Sequence, residues 1–232
     1  MGLRAAFFDI GDTLVERFAS REEAAPEARA ALVAAFGERE WFDRFVVADI
    51  DPVDDGTLLH QDTAEWIAAW FAAEGLNCDV DLDALRIASV LPLERVSTPV
   101  PGAANAVRWC KDQGLGVILV TNTLYRGDAE VLADWERAGL HALIDGVVSS
   151  HSAGRRKPHP AMFERALALA GARPGEAVMI GDNPIADIRG AGELGLRTVY
   201  RRTSTRPLPA DVRPDAIVDD LTPVPEVLRR WL

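Results

Sequence analysis

FFDIGDTL, residues 7–14, ends an apolar run that begins at Leu3 and delivers Asp9 to the point where a strand gives way to a turn. A short apolar run closed by a polar residue is the pattern of a strand buried on both faces of a parallel sheet. Gly11, Asp12 and Thr13 follow at once, so the turn carries two carboxylates, a hydroxyl and a glycine. In open α/β sheets ligands gather outside the carboxyl ends of the strands, which makes polar residues at such ends candidate functional residues.

Working outward, residues 16 to 96 change pattern. REEAAPEARAALVAAF (21–36), DTAEWIAAWFAAEGL (62–76) and DLDALRIASVL (81–91) repeat apolar residues at spacings of three and four, separated by turn signals such as DPVDDG (51–56), which predicts helices. STPVPG (97–102) is a stiff, proline-bearing connector. Beyond it, strands are expected in LGVILVTN (115–122), IDGVVSS (144–150), EAVMIGD (176–182) and LRTVYR (196–201). Helices are expected between them in AANAVRWCKDQG (103–114), RGDAEVLADWERAGL (126–140), PAMFERALALAGA (160–172) and PIADIRGAGELG (184–195). Strand and helix in alternation predict an α/β fold, a Rossmann-like doubly wound parallel sheet. Residues 1–15 and 97–232 are expected to form that core, with residues 16–96 a helical insertion in it.

Composition sets outer limits. With 232 residues and 48% hydrophobic content the chain can bury a sizeable core. A formal charge of -11 and the lack of a basic stripe argue against nucleic acid, which is gripped by clustered Lys and Arg. No apolar run reaches the roughly 18 residues of a membrane span, and Asp9 and Asp12 interrupt the first run too early for a secretion signal. Cys78 and Cys110 fall in different units, a usage that fits a reducing, cytoplasmic protein. Abundant Ala and a preference for Arg over Lys suggest a bacterial, GC-rich genome.

Four strand ends carry chemistry: Asp9, Thr121 with Asn122, Lys157 soon after GVVSS, and Asp182 after AVMIG. Together they offer a nucleophile or metal ligand, hydroxyl and amide donors, a cation and a second carboxylate, an inventory suited to phosphoryl transfer. The ordered elements FFDIGDTL, LVTN, RRKPHP and IGDNPIADIRGA resemble the motifs of the haloacid dehalogenase superfamily, most of whose members are magnesium-dependent phosphatases. The insertion also stands where family members carry a cap.

The resemblance implies that Asp9 is the nucleophile forming an aspartyl-phosphate, which splits one difficult displacement into two. Mg²⁺, which favours hard oxygen ligands, would be held by Asp9, the Gly11 carbonyl and Asp182. Thr121 and the backbone amide of Asn122 would hold phosphate oxygens, and Lys157 would neutralise charge on the transferring group. Asp187 would orient the metal-bound water or Lys157 from the layer behind, and Thr13 would fix the turn. A small phosphorylated metabolite is the implied substrate; the oligomeric state is left open.

The first motif departs from the family at Gly11. Phosphatases of this type usually carry there an Asp that protonates the leaving alcohol, and loss of such a group forfeits about 10² to 10⁴ in rate. Three readings stand open: Asp12 or a cap residue replaces the acid, the substrate has a good leaving group, or the protein is a slow, degenerate binder of phosphate and Mg²⁺. Phosphonate-cleaving relatives use a cap lysine, and residues 16–96 contain none. Dehalogenases also lack this Asp, but they typically lack the carboxylate found here at Asp182, which leaves 2-haloacid dehalogenase chemistry as the alternative.

Within the cap, Trp41, Phe42, Trp66, Trp70 and Phe71 read as its own core, and His60 as a loop residue that could donate a proton if it faces the site. VDDGTL (53–58) imitates the first motif but has Val53 at the nucleophile position and reads as a solvated loop. The cap is expected to flex near residues 15–19 and 96–101, excluding water when closed.

Overall fold

Strand β1 (Ala5–Phe8) is buried along its whole length, because it runs through the middle of a sheet covered on both sides. The computed structural model describes residues 2–17, 20–48, 58–60 and 62–232. Successive side chains of β1 point to opposite layers. Ala6 and Phe8 pack with Val107, Cys110, Val131 and Trp135. Ala5 and Phe7 pack with Met162, Phe163 and Ala166.

The sheet is completed by β4 (Gly116–Thr121), β5 (Gly146–Ser149), β6 (Ala177–Gly181), β7 (Arg197–Arg201) and β8 (Ala216–Val218), in the order β5-β4-β1-β6-β7-β8. Every pairing is parallel. The helices α5 (Ala103–Asp112), α6 (Asp128–Arg137) and α10 (Val224–Arg229) supply residues to one core layer, and α8 (Pro160–Ala170) to the other. Strand order reverses around β1, with β4 on one side and β6 on the other, and a ligand crevice is expected there.

Three elements differ from the sequence reading. Edge strand β8 is only three residues long and follows a proline-rich segment, so no periodicity announces it. The two connectors, expected to be simple linkers, pair as an antiparallel ribbon of β2 (Val15–Arg17) and β3 (Ser97–Pro99). Residues 184–195, expected as one helix, form a π-helical turn over Pro184–Arg189 followed by the short α9 (Gly190–Glu193).

Beyond the ribbon lie α1 (Arg21–Phe36), α2 (Phe42–Phe45), α3 (Thr63–Ala73) and α4 (Leu82–Ala88). Ser20 and Glu23 close a capping box at the start of α1, and Asp62 and Asp81 cap α3 and α4. These helices share a hydrophobic centre of Leu32, Trp41, Phe42, Phe45, Ile67, Phe71 and Leu85, with Trp66 and Trp70 against it. The aromatic cluster is thus core packing, with Trp41 edge-on to Phe42 at 4.6 Å and to Phe71 at 4.8 Å. Residues 53–57 of VDDGTL lie outside the described residues. Among the described residues no helix is long and apolar enough to cross a membrane.

Candidate active site

The Asp9 amide donates to the Ile180 carbonyl at 2.9 Å, one residue past the end of β1. The chain then wraps tightly: the Ile10 carbonyl accepts from the amides of Leu14 (2.9 Å) and Val15 (3.1 Å). That wrap needs a left-handed residue, and Asp12 takes it with φ 53°; a short polar side chain tolerates this region better than most. Arg201 Nη1 donates to the Asp12 carbonyl at 2.9 Å and holds the turn from β7. Thr13 is fully buried, with Oγ1 3.3 Å from Asp9 Oδ2 and 3.4 Å from Asp182 Oδ1, so its hydroxyl ties the ends of β1 and β6 together.

Lys157 reaches this turn from the loop after β5 and the short α7 (Ser150–Ala153). Its ammonium group donates to Asp9 Oδ1 (2.7 Å), Asp187 Oδ1 (2.6 Å) and the Val120 carbonyl (2.7 Å), which uses all three of its protons. The Asn122 side chain fixes the lysine's backbone, accepting from the Lys157 amide at 2.8 Å and donating to its carbonyl at 3.1 Å. The loop is also gripped from residues 58–60: the Arg156 amide donates to the Leu58 carbonyl (2.8 Å), and the His60 amide donates to the Gly154 carbonyl (3.1 Å).

At the end of β6, Asn183 caps the π turn by accepting from the amides of Ile185 (3.0 Å) and Ala186 (2.9 Å). The turn swings Asp187 back against the strand, where Oδ2 accepts from the Asn183 amide at 2.9 Å. Gly181 makes that approach feasible, since a Cβ there would lie 2.3 Å from Asp187 Oδ2. Both Asp187 oxygens are therefore engaged by the protein.

Asp9, Asp182 and Asp187 bring carboxylate oxygens within 4.8 Å of one another, all buried. Burial, with Asp9 and Asp187 adding their charge, pushes Asp182 up to about 7 against the pull of Arg206. Burial and Asp9 raise Asp187 to about 6 although Lys157 opposes them. For Lys157, burial favours the neutral amine, but Asp187 and Asp9 outweigh it and hold the ammonium above its usual value. Three crowded carboxylates facing one lysine and a half-exposed arginine leave a net negative site, and hard oxygen donors of this kind suit Mg²⁺. Asp9, Asp182 and Asp187 all line the cavity with Gly11, but both Asp187 oxygens are already taken by Lys157 and Asn183.

The cavity measures about 140 Å³ and is lined by Asp9, Gly11, Asp12, Thr121, Asn122, Lys157, Asp182 and Asp187, together with Asn183, Ala186 and Arg206. Every residue singled out from the strand ends is therefore in one place, with Thr13 bonded behind them. Asp12 faces the cavity and not solvent alone, 3.5 Å from Arg206 Nη1 through Oδ2. His60 does not line it. Its Nδ1 lies 3.2 Å from Ser150 Oγ, and since that hydroxyl already donates to the Thr123 carbonyl, Nδ1 carries the proton. Nε2 is buried without a hydrogen-bond partner. Burial, then the neighbouring His151, pushes the His60 imidazole down to about 4, which keeps it neutral. Sequence reasoning missed Arg206, whose Nη1 ion-pairs with Asp182. It sits in a loop without periodicity, 24 positions after its partner, and no local signal marks it.

Similarity to other proteins follows the same lines. The chain is 39% identical over 107 residues to the ribulose-1,5-bisphosphate 5-phosphatase of Halopiger xanaduensis, covering 46% of this chain and 43% of that one. It is 35% identical over 142 residues to the phosphoserine phosphatase of Thermus thermophilus, covering 61% and 56%. The matched region thus spans about half the length of these relatives. In fold it is similar to the 2-haloacid dehalogenase from Pseudomonas syringae pv. Tomato DC3000, with a TM-score of 0.70 at 23% identity over 99% of this chain and 100% of that one. The family model of haloacid dehalogenase-like hydrolases matches residues 3–195, and the chain belongs to that family.

Proposed function

We propose that the protein is a Mg²⁺-dependent phosphohydrolase acting on a small phosphorylated metabolite of the cytoplasm through an Asp9 phosphoenzyme. One observation carries this reading: the ends of β1, β4 and β6 and the Lys157 loop converge on a single buried cluster beside Thr121 and Asn122. The phosphatase names of the two relatives support it. Asp9, the Gly11 carbonyl and Asp182 would hold the metal, which when bound neutralises phosphate charge and so lets an anionic carboxylate approach an anionic substrate.

Asp9 attacks phosphorus, the bond to the leaving oxygen breaks, and the phosphoryl group passes to the carboxylate; water then cleaves the aspartyl-phosphate and regenerates Asp9. Lys157, anchored at three acceptors, keeps a fixed positive charge beside the transferring group, the preorganised kind that acts without reorientation. Thr121 and the Asn122 amide orient the phosphate oxygens. Asp187 is a positioning residue, holding the Lys157 ammonium on the side away from substrate. Gly11 cannot move a proton, and Asp12 is the cavity carboxylate nearest in sequence that could.

Phosphate release from a metabolite panel should depend on Mg²⁺, stop with chelator and vanish in Asp9→Asn. No turnover on any phosphate ester by a folded protein would sink the reading. Gly11 favours a second one, a module that binds Mg²⁺ and phosphate without chemistry; it expects ligand-induced thermal stabilisation and no released phosphate.

A further inference from the structure

The carboxylate cavity opens into a larger one of about 520 Å³ between the sheet end, the β2–β3 ribbon and the start of α1. Gly11, Asp12, Thr121, Asn122 and Arg206 belong to both. A molecule whose phosphate reaches Asp9 therefore extends the rest of its atoms into the larger space, whose size is that of a small-molecule site, about 300–1,000 Å³.

The far wall of that space is basic. It is formed by Arg17 on β2, Arg21 at the first residue of α1, Tyr125 and Arg126. Arg126 is committed to the fold, with Nε 2.9 Å from Asp134 Oδ2 and Nη2 on the Leu91 carbonyl. Arg17 and Arg21 are different: among the described residues no carboxylate lies within ion-pair distance of either. Arg21 reaches the Tyr125 hydroxyl. Of the acids nearest in sequence, Glu16 pairs with Arg201 and Glu23 caps the Ser20 amide at 2.7 Å, while Glu22 is exposed, feels the Arg21 charge and makes no ion pair with it.

In a chain of net charge -11 this wall gathers three guanidinium groups, two of them without an acidic partner among the described residues. Burial lowers the Arg126 value despite Asp134, and the charge of Arg17 lowers it further, a sign that the two cations are close enough to repel. Like charges gathered in a cleft are relieved by an anion placed between them.

We propose that the substrate carries a second anionic group, a carboxylate or a second phosphate, remote from the scissile phosphate and bound by Arg17 and Arg21. This rests on the phosphohydrolase reading and narrows its substrate class. Arg17 lies on the ribbon and Arg21 opens the first helix of the cap, so the same contact ties the start of the cap to the core when substrate is bound.

A matched three-carbon series tests it: 3-phosphoglycerate, glycerol 1,3-bisphosphate and the singly charged-end control glycerol 3-phosphate, assayed with the full chain and Mg²⁺. Charge-assisted hydrogen bonds of this kind predict a preference of about tenfold or more in kcat/KM for one or both of the first two, carried mainly by KM; which of them is favoured identifies the second anion. In Arg17→Gln/Arg21→Gln the preference should collapse toward unity, and Arg17→Lys/Arg21→Lys should restore part of it. Equal kcat/KM for all three substrates, or a preference that survives the double Gln variant, overturns the inference while leaving the phosphohydrolase reading intact. Calorimetric binding of the same compounds to Asp9→Asn separates the two readings if none is turned over: selective binding lost in the double Gln variant supports the second-anion site, and binding without selectivity, or none, overturns it.

Discussion

If the protein is the phosphohydrolase proposed above, Gly11→Asp should speed its turnover of alkyl phosphates. A Cβ at residue 11 would meet nothing within 4 Å, and its backbone lies outside the left-handed region, so a side chain can start there without a clash at Cβ or backbone strain. Gly11 lines both cavities, which places a new carboxyl between Asp9 and the space left for the leaving group. General acid assistance contributes about 10² to 10⁴ in rate, or about 3–6 kcal/mol at about 1.4 kcal/mol per decade. We expect the lower end, near 10², because the added charge joins Asp9, Asp12 and Asp182 and opposes an anionic substrate. The assay is kcat/KM for glycerol 3-phosphate against p-nitrophenyl phosphate at saturating Mg²⁺. This parameter reports transfer to Asp9 and is blind to later hydrolysis of the phosphoenzyme, and a nitrophenolate departs without a proton. Large gain on the alkyl ester and little on the aryl ester is the expected pattern. A gain below about threefold on the alkyl ester, or an equal gain on both with metal affinity unchanged, would refute the argument.

Lys157→Met should destabilise the fold by about 3–5 kcal/mol in urea unfolding, because Asp9 and Asp187 then face each other buried without a counter-charge; adding Asp187→Asn should recover part of the loss, and no recovery would contradict the pairing. Arg206→Ala frees Asp182 from a competing cation and should tighten Mg²⁺ binding by about fivefold in calorimetry, the order expected for a partly exposed ion pair; weaker binding would assign Arg206 to ligand support instead. His60 is held neutral down to about 4 against 6.5 for the unfolded chain, so its contribution to stability is complete above pH 6.5 and is lost as pH falls toward 4. His60→Asn should flatten the stability profile in that window relative to wild type, since the raised Asp182 and Asp187 act alike in both proteins and cancel in the difference. Identical profiles would refute the buried, neutral imidazole.

Legibility in the sequence followed burial. Strands β1, β4, β5 and β6 are apolar because both faces are covered, so continuous runs such as GVILV and AVMI mark them directly, while β7 shows only its buried Val199–Tyr200 centre. Strand β8 and the ribbon are three residues per strand, too short for any period, and exist because a neighbouring edge offers hydrogen bonds. The candidate site was readable for a related reason: Asp9, Thr121 and Asp182 sit where apolar runs stop, and their polarity interrupts a pattern. Arg206 interrupts nothing. Its position depends on the Tyr200 hydroxyl donating to its carbonyl and on the ion pair with Asp182, contacts made only after the chain has folded. His60 is the loop residue the sequence suggests, and the condition for proton donation is not met, because pairing of residues 58–60 with the loop at 154–156 turns that ring toward Ser150 and His151.

The energetics of the cluster bear on which reading of the site is tenable. Asp182 and Asp187 are each 1% exposed, and burial drives both toward protonation, so the fold keeps carboxylates where an apolar or amide side chain would be more stable. Lys157 offsets Asp9 and Asp187 but makes no bond to Asp182. The remaining partner of Asp182 besides Thr13 is Arg206, 41% exposed and attached to a surface loop, a contact water can replace. Asp182 is thus the one member of the cluster whose burial the protein leaves incompletely compensated, and its oxygens face a cavity shared with Asp9 and the Gly11 backbone. A halide-releasing site gains nothing from an extra buried anion at that position, whereas a divalent cation there would relieve the strain and draw an anionic phosphate toward Asp9. On the phosphohydrolase reading the same charge arithmetic separates two questions: glycine at position 11 would leave the proton to Asp12 or to a good leaving group, while every group that holds charge stays in place.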